Sequence, residues 1–396
     1  IVFGDWSSDV CSSDLNTNKF DIAKYKSCSL ISDSMYKSGS GSLQSLAWKK
    51  FRANTLAMLS LGFLILTVLI SLFGYLISPD PTPFANDQKL ELSLKKPGFS
   101  VWMVRPEPED KAPGTGIFTW IVFGKEERNK SIPVRMWKES HGRLYYVPYD
   151  AVPGEPSGVS SADLRTVEKP FRKTYLLGTD RFGRDFLSQL MIGSRVSLSV
   201  GLISVAISLI IGITLGAAAG YFGGRTDQVI VWLINVVWSI PTLLLVIAIT
   251  FALGKGFWQV FIAVGLTMWV EVARVVRGQV LGLREKEFVE AVRALGFSDF
   301  RIIFRHILPN VMAAVIVISA ANFASAILLE AGLSFLGLGV QPPVPSWGSM
   351  IKDNYGYIIL DYAYLAILPG VAIMLLVLAF MLIGNALRDA LDVRLM

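Results

Sequence analysis

Few side chains in this chain of 396 residues are placed, by type and spacing, to make or break a bond. The only two histidines, His141 and His306, stand far apart. The two cysteines, Cys11 and Cys28, lie near the N-terminus without metal-ligand spacing. No nucleophile stands beside a base, and no Cys/His/carboxylate cluster suits zinc. Nowhere does Gly-x-x-x-x-Gly-Lys precede Ser or Thr, so no loop is built to wrap a nucleotide phosphate. Gly254-Lys255-Gly256 reads as a short turn instead. The expectation is a chain with no catalytic residue, no metal and no bound cofactor: not an enzyme by itself.

What the residues offer instead is a pair of short amphipathic helices. In 274–310, Phe288, Val289, Val292 and Leu295 recur on one helical face, opposite Arg284, Glu285, Lys286, Glu287, Glu290 and Arg293. Gly296 then ends the helix, a place that suits positive φ or a close approach. Ser298 can cap a second helix, whose stripe is Phe300, Ile303, Phe304 and Ile307, before Pro309 opens the next apolar run. The pair's stripes need a cover, supplied either by the chain's own helix ends or by a docked partner.

The elements that position this pair are apolar and long. The chain is 53% hydrophobic and 17% charged, with mean hydropathy +0.51, against roughly 45–50% and 25% in soluble domains. Six stretches are long enough to cross a bilayer, which takes about 20 residues: 55–77, 196–220, 228–253, 257–273, 311–331 and 364–386. The fourth is short, contains Gln259 and ends beside Glu271. Barrel strands would be shorter and strictly alternating. The fold class expected is an all-α polytopic membrane protein of six transmembrane helices, with an extracytoplasmic insertion that is α/β or β-rich.

Orientation follows from Lys and Arg in the short loops. Lys49, Lys50 and Arg52 precede the first span. Arg274, Arg277, Arg284, Lys286, Arg293, Arg301 and Arg305 lie between the fourth and fifth, and Arg388 and Arg394 follow the last. The opposite loops carry only Lys255 and Lys352. Both termini and the 274–310 loop are therefore expected in the cytoplasm, which puts His141 and His306 on opposite sides. The net charge of +6 reports this orientation and not nucleic-acid binding.

The organisation expected is a cytoplasmic segment over 1–54, a first span over 55–77, an extracytoplasmic insertion over 78–195, a five-helix core over 196–386 and a cytoplasmic tail over 387–396. Residues 9–15 resemble a frame-translated sequencing adapter, so 1–15 read as a sequence artefact or a truncated start, and the polar stretch after them reads as a mobile tail. Within the insertion, 99–104, 116–124 and 143–149 read as short strands. Over 175–195, Phe182, Phe186, Leu187 and Leu190, with Arg184 and Asp185 between them, suggest an amphipathic helix on the membrane surface. In the core, Gly212, Gly216 and Gly220 fall on one face and suit close helix packing. Pro241 is expected to kink its span. Asn235 and Asn322 either line a pathway or hydrogen-bond across helices. Glu330 is expected near the outer end of its span, within reach of water or headgroups.

Glu290-Ala291, Gly296 and Leu308-Pro309 resemble the EAA loop of bacterial ABC importer permeases, with Val292 in place of the motif's second Ala and His306 at its usual Ile position. His306-Ile307-Leu308-Pro309-Asn310 is similar to the form found in the dipeptide/oligopeptide branch. So are Leu177-Gly178-Thr179-Asp180, Gly183-Arg184-Asp185 and Gly193-Ser194-Arg195, together with 330–339, Gln341-Pro342-Pro343 and Pro345-Ser346-Trp347-Gly348. The resemblance covers 175–396 and is to the C-type permease subunit of a peptide importer in the bacterial inner membrane.

It implies a homologous second permease subunit, two cytoplasmic ABC ATPase subunits that use ATP and Mg, an extracytoplasmic binding protein, a peptide substrate and surrounding lipid, with no nucleic acid. It also implies that Glu290, Ala291, Gly296, Leu308 and Pro309 couple to the ATPase. The alternatives are the same mechanism for nickel or another small solute, an ATPase-independent secondary transporter, and an insertion that serves as a sensor.

Overall fold

A computed structural model describes residues 43–105, 116–125, 131–151, 160–163, 169–254 and 256–391. The 1–15 segment, both cysteines, Arg394 and part of the insertion lie outside the described residues. The chain divides at Lys50 into two units. The first contributes only part of helix α1 (Leu43–Ala53), and the fold is that of the second.

Helix α2 (Thr55–Ile77) starts where the Asn54 side chain accepts a hydrogen bond from the Ala57 amide at 3.2 Å, and it ends at Ser78, before Pro79 and Pro81. The insertion then forms strand β1 (Phe99–Val104), helix α3 (Ile117–Phe123) and strands β2 (Ile132–Ser140), β3 (Arg143–Pro148), β4 (Ser160–Asp163) and β5 (Phe171–Tyr175). The sheet is antiparallel throughout, in the order β4-β3-β2-β1-β5. His141 and Gly142 both take positive φ in the tight β2–β3 hairpin, which the right-handed twist of paired strands favours.

The membrane body follows: α4 (Phe186–Phe222), α5 (Gly224–Trp238), α6 (Thr242–Leu253), α7 (Phe257–Arg284), α8 (Glu287–Ala294), α9 (Asp299–Phe335), α10 (Trp347–Asn354) and α11 (Tyr364–Leu391). Five of the described helices (α2, α4, α7, α9 and α11) are long and apolar enough to cross a bilayer, and α5 with α6 makes a sixth at most, bent by 92°. The chain is an all-α polytopic membrane protein with a β-rich insertion.

The structure departs from the sequence reading at several points. No helix lies along the surface over 175–195: Thr179–Asp185 is a tight turn and α4 is one helix from Phe186 onward. Residues 116–124 form α3, not a strand. Gly124 caps it, donating its amide to the Trp120 carbonyl, and Arg195 takes the Ile121 and Val122 carbonyls at 2.7 and 2.9 Å. The fourth span reaches Arg284, so Arg274, Arg277 and Arg284 are helix residues and not loop residues. The second amphipathic helix is not separate, because it runs directly into the fifth span as α9.

Glu330 stands near the end of α9 but is fully buried, out of reach of water. The Ser334 hydroxyl donates to it at 2.7 Å, and Ser197 of α4 lies at 3.5 Å. The cause is the chain after α9, which folds back so that Ser346 meets Ser334 at 3.3 Å and covers the carboxyl. Asn322 is also fully buried, yet neither side-chain atom has a hydrogen-bond partner.

Candidate functional site

The middle of the molecule is the α4–α7 seam. A Cβ on Gly212 would stand 2.5 Å from the Val272 Cβ, one on Gly216 2.5 Å from the Ala273 carbonyl oxygen, and one on Gly220 2.8 Å from the Val280 Cβ. The contact is reciprocal higher up, where Gly265 of α7 faces Ile207 and the Ser204 hydroxyl donates to the Phe261 carbonyl at 3.0 Å. Small residues at a spacing of four let the two backbones meet, and dispersion along the whole length binds them.

At the insertion end of α4, the motif residues form a staple. The Asp180 carboxylate accepts the Phe182 and Arg184 amides, both at 2.9 Å, and pairs with the Arg184 guanidinium. The Thr179 hydroxyl donates to the Leu92 carbonyl and accepts the Lys95 amide. Gly183, at φ +72°, lies so close to the Lys89 carbonyl that a side chain would collide with it. Asp185 caps α4 through Ser188. Its burial pushes the carboxyl up, while the Ser188 bonds pull the other way. The Trp347 indole donates to the Leu190 carbonyl at 2.9 Å, so α10 closes over the same end.

At the other end of α4 sits the amphipathic pair. Helix α8 has Glu287 and Glu290 in its first turn and Arg293 in its last, which complements the helix dipole. Gly296 takes φ +80° with open space around it, so conformation and not crowding requires glycine there. Its amide donates to the Arg293 carbonyl and the Phe297 amide to the Val292 carbonyl, the double bond of a Schellman ending. Ser298 stands at the start of α9 but makes no side-chain cap. Ile302–Ile307 is a π-helical turn. Pro309 cannot donate an amide to the Arg305 carbonyl and would press on it, and the wider turn relieves that clash. The Asn310 side chain bonds the His306 carbonyl at 2.7 Å.

The predicted stripe divides in two. Val289, Ile302, Ile303 and Ile307 are buried, with Val292 partly so, against Tyr221 of α4 and Val276 and Val280 of α7. The outer edge is bare: Leu295 is 75% exposed and Phe300 71%, flanked by Phe288 and Phe304. The Phe300 and Phe304 rings lie 4.3 Å apart. Glu290, Ala291 and Pro309 are exposed and Leu308 is half-buried. One anchor fixes the inner side, the Tyr221 hydroxyl bonding Asp299 at 2.6 Å; beside it Arg277 ties α7 to Asp227 of α5 with two bonds of 2.5 and 2.7 Å.

Among the described residues no group of three His, Cys, Asp or Glu could hold a metal ion. His141 lies in a hairpin and His306 in the π-helical turn. Pro241 stands at the 92° break between α5 and α6, and Asn235 is exposed on α5. A body of membrane-length helices with an apolar helix edge displayed at one end defines the class: a polytopic membrane protein.

Comparison with known proteins gives the particular branch. Residues 212–396 match the family of binding-protein-dependent transport system inner membrane components, and 42–97 match the N-terminal TM domain of oligopeptide transport permease C. The chain is 37% identical over 264 residues to the Glutathione transport system permease protein GsiD of Pectobacterium atrosepticum, covering 67% of this chain and 83% of that one. It is 44% identical over 215 residues to the Dipeptide transport system permease protein DppC of Alkalihalophilus pseudofirmus, covering 54% and 70%. With the Dipeptide transport system permease protein DppC of Lactococcus lactis subsp. cremoris it shares 29% identity over 353 residues, 88% of this chain and 90% of that one. A match of that length runs through the β-rich insertion. The chain belongs to the inner-membrane permeases of ABC importers, as a C-type subunit of the di/oligopeptide branch; such subunits transport and do not catalyse.

Proposed function

We propose that this chain forms half of the translocation pathway of an ATP-driven peptide importer and pairs with a homologous second permease. Two cytoplasmic ATPase subunits supply the work, and a binding protein on the other side delivers the peptide. The arginine-rich α7–α9 end faces the cytoplasm by its charge, and the β-rich insertion stands outside. The observation that carries the reading is the bare edge of Phe288, Leu295, Phe300 and Phe304 on a helix pair whose inner face is anchored. An exposed apolar patch of this kind marks a docking site, and the anchored inner face passes the partner's displacement to α4, α7 and α9.

In this reading Glu290 and Ala291 meet the ATPase surface, Gly296 sets the angle between the helices, and Leu308 and Pro309 carry the motion into the fifth span. Peptide is the favoured cargo because the relatives named above carry glutathione and dipeptide transport in their names. The test is the double substitution Leu295→Asp with Phe300→Asp in the reconstituted transporter. ATP-driven peptide uptake is expected to fall more than tenfold while the chain still co-purifies with its partner permease. Full uptake by this variant would remove the coupling role.

A further inference from the structure

Between α7, α9 and α11 lies a cavity of about 700 Å³, open on one side. Its floor is the contact of α9 with α11, where a Cβ on Gly384 would stand 3.0 Å from the Ala320 Cβ. The lining runs along α9 from Asn310 to Ala321 and along α11 from Leu391 to Met381. At 1.5 Å per residue this makes a groove about 16 Å long, close to the ~15 Å that one leaflet contributes to the hydrocarbon core.

The groove is polar at one end only. Gln279, Asn310, Asn385 and Arg388 line that end, and Val317, Ile318, Ala321 and Met381 line the other. The polar end coincides with the edge of the apolar runs: Asn310 directly precedes 311–331, and Arg388 follows 364–386. Arg388 is exposed and makes no hydrogen bond or ion pair among the described residues, and no acid among them lines the groove. The Asn310 side-chain nitrogen is held by the His306 carbonyl, which leaves Asn385 and Gln279 to donate at the same end.

The candidates for such a groove are water, a partner helix and a lipid. A water-filled route would be polar along its whole length, and a partner helix would have to bring its own acid to Arg388. A phospholipid matches both ends, with a phosphate against the guanidinium and an acyl chain along the apolar wall.

We infer that this groove seats an anionic phospholipid of the cytoplasmic leaflet, its phosphate held by Arg388 and Asn385 and its chain lying along Ala314, Ala321 and Met381. The leaflet follows from the orientation proposed above; the site itself does not depend on peptide being the cargo. Helix α9 continues the second amphipathic helix, so the lipid lies against the element proposed to carry the ATPase's motion.

Two measurements on the purified transporter test this, and neither needs peptide or ATP. In the first, the wild type, Arg388→Gln and Arg388→Lys are reconstituted in vesicles of phosphatidylcholine and phosphatidylglycerol and re-extracted in mild detergent. Retained lipid is then read by native mass spectrometry. Arg388→Gln is expected to lose about fivefold in bound phosphatidylglycerol, the preference that one cation near an anionic headgroup confers, and Arg388→Lys to keep part of it. Equal retention by the wild type and Arg388→Gln would overturn the site.

The second places a nitroxide on Ala321→Cys in a Cys11→Ser, Cys28→Ser background and reads its collisions with oxygen and with a water-soluble nickel chelate in the same vesicles. Oxygen is expected to dominate, as it does beside acyl chains. Dominance of the nickel chelate would show a water-filled route, and protection from both would show a partner helix in the groove; either result overturns the inference. A transporter that imports no peptide counts against the parent reading and leaves both of these measurements decisive.

Discussion

The α4–α7 seam and the α8–α9 hairpin both lie on the same two long helices, yet they spend their apolar residues in opposite ways. Along the seam, Gly212, Gly216 and Gly220 let two backbones touch, and nothing is left over for a partner. At the hairpin, Val289, Ile303 and Ile307 are buried while Leu295 and Phe300 stay bare. On the proposed reading the tight seam is a rigid lever and the half-covered helix pair the handle on it. On that reading exposure, and not hydrophobicity, separates parts that hold the molecule together from parts that meet another chain.

That contrast can be broken first at the seam. Gly216→Val places a branched side chain against the Ala273 carbonyl and Val276, where overpacking has no flexible neighbour to yield. No folded chain is expected in the membrane fraction, read by detergent-resistant size-exclusion recovery. At the handle the expectation is reversed: Leu295→Asp alone leaves recovery at the wild-type level and lowers ATP-driven uptake several-fold.

Two smaller effects sharpen the boundary. Asp185→Ala removes the α4 cap and is expected to cost about 1 kcal/mol, seen as a lower thermal midpoint with uptake retained once the protein is folded. Gly296→Ala strains a residue at φ +80° by about 1 kcal/mol, while Gly282→Ala, in open space inside α7, stabilises by under about 1 kcal/mol. Paired thermal midpoints of these two variants separate a conformational demand at Gly296 from a general preference for glycine.

Much of this was legible in the sequence, for reasons that differ by element. The long helices show because about 20 apolar residues in a row have few other homes, and the helix pair shows because its stripe has period 3.6. Three features were hidden, two of them by contacts distant in sequence. Residues 116–124 carry β-favouring side chains but become a helix whose last carbonyls Arg195 collects. Glu330 looked open to water because the fold-back that brings Ser346 over it cannot be seen in a linear pattern. Glu271 looked like the edge of a short span. Only the continuation of α7 to Arg284 moves it to the centre, and the signal available was the charged residue itself, beside a span that seemed too short.

The central claim, that work enters through the bare edge of the helix pair from a separate ATPase on the cytoplasmic side, is tested most directly by a single cysteine. With Leu295→Cys in a Cys11→Ser, Cys28→Ser background, labelling by an impermeant maleimide is measured in inside-out vesicles with and without bound ATPase subunits. The account predicts rapid labelling of the bare permease and strong protection when the ATPase is bound. Labelling that proceeds equally in both, or only from the outside of intact cells, would contradict it.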